Sequence, residues 1–112
     1  MKNPDTVIWK TQIPKKLYNK IKYYFKQFGG SRADFLDFGI DALVIKYQFH
    51  HYEVIPEPEI LYRFSEEDEA NLVGWQVAIG ENVVRGYNDF MMRYGLTGRD
   101  VLAAALYQNR GK

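Results

Sequence analysis

The 112-residue chain contains no cysteine, only four prolines and only two histidines. Without cysteine, a disulfide scaffold and a thiolate metal site are both excluded. His50 and His51 are adjacent, so in regular secondary structure they do not converge on one metal, and no ligand cluster accompanies them. No metal site and no cofactor are therefore expected. A nucleophile–base pairing, a phosphate loop and a paired-carboxylate pattern are all missing, so an enzyme is not expected. No stretch approaches the roughly 18–20 consecutive apolar residues that span a bilayer, and the N-terminus lacks a signal-peptide pattern. The expectation is a cytoplasmic protein with no membrane partner.

The chain also lacks a strong net charge, at +1, but the balance is uneven. Residues 1–50 carry nine Lys/Arg against four Asp/Glu, residues 51–72 one against seven, and residues 73–112 five against three. Two basic segments thus flank an acidic one, and local patches govern partner choice more than the total does. Aromatic residues are abundant, with nine Tyr and seven Phe, enough to fill the core of a single small domain.

A repeat organises those segments. Trp9-Lys10-Thr11-Gln12-Ile13 returns 66 positions later as Trp75-Gln76-Val77-Ala78-Ile79. Downstream, without a gap, Leu17, Ile21, Phe25, Phe28 and Gly29 meet Val83, Tyr87, Met91, Tyr94 and Gly95. Ser31, Asp34 and Gly39 meet Thr97, Asp100 and Ala105. A unit of about 40 residues present twice suggests one supersecondary element duplicated to complete a shared core.

Within the first copy, Val7 to Ile13 alternates, with Val7, Trp9, Thr11 and Ile13 on one face and Ile8, Lys10 and Gln12 on the other. Period two predicts a half-buried strand. Pro14 ends it and suits a first helical turn. Leu17, Ile21, Tyr24, Phe25 and Phe28 then form one helical face, with lysines on the remaining surface. Gly29-Gly30 stops that helix, and Ser31 to Asp34 reads as a capping box for a second one. In that second helix Phe35, Leu36, Ile40, Leu43 and Val44 point inward. Gly39 costs about 1 kcal/mol of helix propensity, which predicts a close helix–helix approach.

The second copy predicts a strand over Gly74–Ile79, a helix over Glu81–Tyr94 and another from Arg99 to about Gln108. Between the copies, Pro56-Glu57-Pro58 marks an extended turn, and Ile60 to Phe64 reads as a short strand or a packed connection. Ser65 with Asp68 opens a short acidic helix. The organisation is therefore 6–47 and 73–109 as two β-α-α motifs joined by an acidic linker, 48–72. The fold class is mainly α with a short antiparallel β-ribbon and a four-helix core.

That order, strand, helix, Gly turn and a second helix capped by Ser or Thr, resembles the ribbon-helix-helix DNA-binding family over residues 7–46 and 73–108. Family members usually carry one copy and dimerise. The doubled layout is similar to conjugative-plasmid and archaeal-virus regulators with two such motifs, which would place the chain in a host cytoplasm. The resemblance implies duplex DNA as partner and transcription regulation, as repressor or activator, with a two-stranded ribbon in the major groove. Ile8, Lys10, Gln12, Gln76 and Ala78 would then contact bases. Lys10 suits guanine O6 or N7, Gln12 suits adenine, and Ala78 suits a thymine methyl. Phosphates would be clamped at the second-helix starts by Ser31 and Arg32 and by Thr97, Gly98 and Arg99.

Each assignment has a plainer counterpart. Lys10 and Gln12 also suit an ordinary solvated face, Ser31 and Thr97 are helix caps in either account, and the acidic run suits a solvated first turn. Trp9 and Trp75 fit the core better than a base-stacking platform. The two strands can pair within one chain, or each with its own copy in a homodimer or higher assembly. A competing class is a protein-interaction module, antitoxin-like or relaxosome-accessory, that holds a protein partner through the acidic linker.

Overall fold

A computed structural model describes residues 5–50 and 65–109. Strand β1 (Thr6–Pro14) leads into helices α1 (Lys15–Phe28) and α2 (Arg32–Tyr47). A five-residue helix α3 (Glu66–Ala70) precedes strand β2 (Leu72–Gly80) and helices α4 (Glu81–Tyr94) and α5 (Gly98–Asn109). The protein is mainly helical, with one two-stranded antiparallel sheet. The expected turn at Pro56-Glu57-Pro58 and the segment Ile60 to Phe64 lie outside the described residues.

The 66-residue offset holds in three dimensions. Both ends of β1 and of α1, and the start of α2, recur 66 positions later in β2, α4 and α5. Both strands exceed the expected limits, and β2 begins two residues before Gly74. The cause is pairing: Pro14 lies opposite Leu72 and Thr6 opposite Gly80, so each strand templates the other to full length.

Matched local signals explain the shared helix boundaries. Gly29 and Gly95 end the first helices with φ of 70° and 66°, the left-handed region where a Cβ is costly. Ser31 Oγ then accepts from Asp34 N at 3.1 Å to cap α2. At α5 Asp100 N donates to Thr97 Oγ1 at 3.3 Å, while Thr97 N donates to Asp100 Oδ2 at 2.9 Å, a closed capping box. Ser65 and Asp68 close another at α3.

One hydrophobic cluster joins both copies. Trp9, Ile13 and Trp75 from the ribbon meet Leu17 and Ile21 of α1, Phe35, Leu36 and Leu43 of α2, Phe90 and Met91 of α4, and Val101 and Leu102 of α5. The two tryptophans pack edge-on with ring centroids 6.2 Å apart, so both serve the core. Helices α2 and α5 cross at Gly39, where an added Cβ would lie 2.2 Å from the Val101 carbonyl oxygen. The expected close approach is there.

Two expectations about burial need correction. Phe28 is 56 % exposed, because the last residue of α1 overhangs the core and packs its ring 5.2 Å from that of Tyr24. Val83, matched to the buried Leu17, is 45 % exposed, and Val84 packs against the core in its place. Val44 packs half-buried against the core on the expected inward face, and nearby in sequence Lys46 is buried with its Nζ 5.6 Å from the Tyr47 ring centroid. A long aliphatic stem lets a lysine lie against apolar surface in this way. No helix among the described residues is long and apolar enough to cross a membrane.

Candidate nucleic-acid interface

The site is built on the face of the ribbon turned away from the core. Trp9, Ile13 and Trp75 are buried, whereas Ile8, Lys10, Gln12, Gly74, Gln76 and Ala78 are all exposed. Strand alternation sets this division, since successive side chains leave opposite faces. In the antiparallel register Ile8 stands opposite Ala78, Lys10 opposite Gln76 and Gln12 opposite Gly74.

The hydrogen-bond parity of the ribbon fixes how close those pairs are. Glu81 N donates to Asp5 O at 2.6 Å beyond one end, and Lys15 N donates to Asn71 O at 2.9 Å beyond the other. Hydrogen-bonded pairs therefore fall at odd positions of β1, and Ile8, Lys10 and Gln12 sit in the intervening non-hydrogen-bonded pairs. There the Cα atoms approach to about 4.5 Å and the side chains are closest. The main-chain groups of these residues point to the ribbon's outer edges.

Lys10 and Gln76 are both repeat equivalents and direct cross-strand partners, so a pseudo-two-fold axis passes between them. The face around that axis is unequal. One end carries Ile8 beside Ala78, while the other carries Gln12 beside Gly74, which has no side chain. Lys10 is the only charged group on the face.

The starts of α2 and α5 lie at opposite edges of the ribbon. At the β2 edge Arg32 Nη1 donates to Gln76 O at 2.9 Å, with its guanidinium 5.2 Å from the Trp75 ring centroid. At the β1 edge Gly98 is buried, and an added Cβ would lie 2.4 Å from the Thr11 side chain. Arg99 is ion-paired with Glu69 of α3 across exposed surface. Ser31 and Thr97 cap these helices, whose first-turn amides lack a carbonyl one turn back. All ten expected contact residues thus lie on or beside one ribbon. Arg32, Gly98 and Arg99 carry structural contacts there that residue type alone did not signal.

A second cluster lies away from the ribbon, between α2 and α4. Tyr87 Oη donates to Asp37 Oδ1 at 2.7 Å. Burial first, then this bond and the Asp37 and Asp41 charges, push the Tyr87 hydroxyl well above its usual range. Burial and the Asp37 charge raise the Asp41 carboxyl. The spacing of Asp37 and Asp41 was readable as one helix face, but nothing local placed Tyr87 against it. Among the described residues no group of three or more His, Asp or Glu is arranged to hold a metal. Comparison with protein-family models, with curated proteins and with solved structures finds no match for this chain.

Proposed function

We propose that the protein is a sequence-specific duplex-DNA binder, a tandem ribbon-helix-helix transcription regulator whose two strands form one major-groove reading element. The observation that carries this reading is the exposed six-residue ribbon face with a helix N-terminus at each edge. Two strands side by side match the width of a groove that also admits a helix. Lys10, Gln12 and Gln76 supply the donors and acceptors for base edges, and Ile8 and Ala78 supply apolar contact. Ser31, Arg32, Thr97, Gly98 and Arg99 stand where phosphates on either side of the groove would pass, an arrangement that fixes register while the ribbon reads sequence.

The unequal ends of the face give this reading a consequence. A symmetric dimer reads a palindrome, whereas Ile8/Ala78 and Gln12/Gly74 would read different bases, so the preferred site is asymmetric about its centre. Selection from a random duplex pool followed by footprinting tests this. The expected result is a non-palindromic site whose affinity falls steeply with salt. Lys10→Ala with Gln12→Ala should cost about 1–3 kcal/mol of discrimination for each base-edge pairing that the substitutions abolish. Failure to retain any duplex at low salt refutes the proposal. An unchanged preference in the double variant refutes ribbon readout. The protein-interaction alternative finds less support, because Glu69 of the acidic segment is turned onto the protein's own Arg99.

A further inference from the structure

A cleft of about 290 Å³ opens between α1, the start of α2 and β2. Its floor is Ile21 and Trp75, each 1 % exposed, and half-buried Tyr18 and Phe25 line its sides. Lys22 and Arg32 supply two positive charges, and no carboxylate lines it among the described residues. Arg32 is held in place, its guanidinium over the Trp75 ring and bonded to Gln76 O. A guanidinium carries five N–H donors, of which this bond uses one. Such a space is small for a ligand pocket, at the size of one ring with one ionic group.

The second copy provides an internal comparison on the same scaffold. At the equivalent positions Trp75 becomes Trp9, while Lys22 becomes Asn88, Arg32 becomes Gly98 and Gly30 becomes Leu96. The tryptophan that builds the core is kept in both. The two cations, and the glycine that leaves the mouth without a side chain, occur in the first copy only. Packing accounts for two of these differences, since Leu96 lies against the core and Gly98 against Thr11, but it gives no reason for the cation at exposed Lys22 where exposed Asn88 stands in the other copy.

We infer that this cleft binds a small anion carrying an aromatic ring, an aryl phosphate or aryl carboxylate. Its ring lies between Tyr18 and Phe25, and its anionic group meets Lys22 and Arg32. Binding there requires no nucleic acid, although Arg32 is shared with the phosphate contacts of the DNA reading.

Phenyl phosphate is the probe, titrated into the full chain by calorimetry and followed by amide and indole N–H shifts. The expected result is one site per chain with Kd on the order of 1 mM or tighter. Shifts should concentrate at Gly30 and the Trp75 indole. Lys22→Asn, on the exposed face of α1, and Arg32→Gln should each weaken binding about tenfold, as removal of one charge-assisted hydrogen bond implies. Phenol and inorganic phosphate alone should each bind far more weakly. No saturation by about 10 mM, on the scale of the weakest specific affinities, overturns the inference. An unchanged Kd in folded Lys22→Asn does the same. Inorganic phosphate matching phenyl phosphate also overturns it, and would assign the cleft to a bare phosphate such as that of a DNA backbone.

Discussion

Replacing Gly39 by alanine inserts one methyl group at the α2–α5 crossing. The added Cβ would lie 2.2 Å from the Val101 carbonyl oxygen, 2.9 Å from Val101 Cγ1 and 3.1 Å from the carbonyl carbon. Ordinary contact begins near 3.4 Å, so the nearest atom must retreat by about 1 Å. That atom belongs to helical backbone, and relief requires the two helices to separate along most of their interface. Overpacking of this kind costs about 3 kcal/mol, the upper end for an inserted methyl group. Alanine returns about 1 kcal/mol through helix propensity. The net loss is about 2 kcal/mol, which moves a urea midpoint by roughly 1 M. Val101→Ala should not rescue Gly39→Ala, because the closest clash is with the carbonyl oxygen. A double-mutant cycle by urea denaturation measures this. Unchanged stability in Gly39→Ala, or a rescue of about 1 kcal/mol or more, refutes the backbone-contact argument.

Gly86 is the matched opposite, with nothing within 4 Å of an added Cβ in the middle of α4, so Gly86→Ala should raise stability by about 0.5–1 kcal/mol in the same assay. Asp41 is raised by burial and by Asp37 one turn earlier, so the native state binds more protons than the unfolded chain in mild acid. Its favourable contribution is full below the ordinary carboxylate range and is lost as pH rises through the raised value. Asp41→Asn should therefore stabilise the protein by about 0.2–0.5 kcal/mol at neutral pH. That gain should vanish near pH 3, where carboxyls are protonated, and a gain that persists there excludes the charge explanation. Thr97→Ala opens the α5 capping box and should cost about 1 kcal/mol in thermal or urea unfolding. Glu69→Gln removes the carboxylate held on Arg99, and on the DNA reading it should tighten duplex binding several-fold while steepening the salt dependence by about one phosphate contact.

The elements were legible because each is signalled locally. Alternation at Val7–Ile13, glycines at 29 and 95 and caps at 31 and 97 act within a few residues, and the repeat supplied a second reading of each. The division of the ribbon into Trp9 and Trp75 inward and Lys10 and Gln76 outward follows from period two alone. What the pattern did not contain is long-range geometry. Arg32 and Gly98 are repeat equivalents, yet one reaches a strand carbonyl and the other is buried against Thr11. Such contacts depend on how closely a helix start approaches the sheet, which no local periodicity encodes. The Tyr87–Asp37 bond and the cleft beneath Arg32 likewise join segments about 50 residues apart.

Because both strands of the ribbon belong to one polypeptide, the element forms by a unimolecular step. Two separate half-units would have to meet, and dilution would dismantle the ribbon as they parted. Here the connecting segment holds each half near the other at an effective concentration set by its length. The stability of the ribbon is then independent of how much protein is present, unlike that of an obligate dimer. The two halves are also always made in equal number and never paired with their own kind in this ribbon. Lys10 can therefore change without forcing the same change at Gln76.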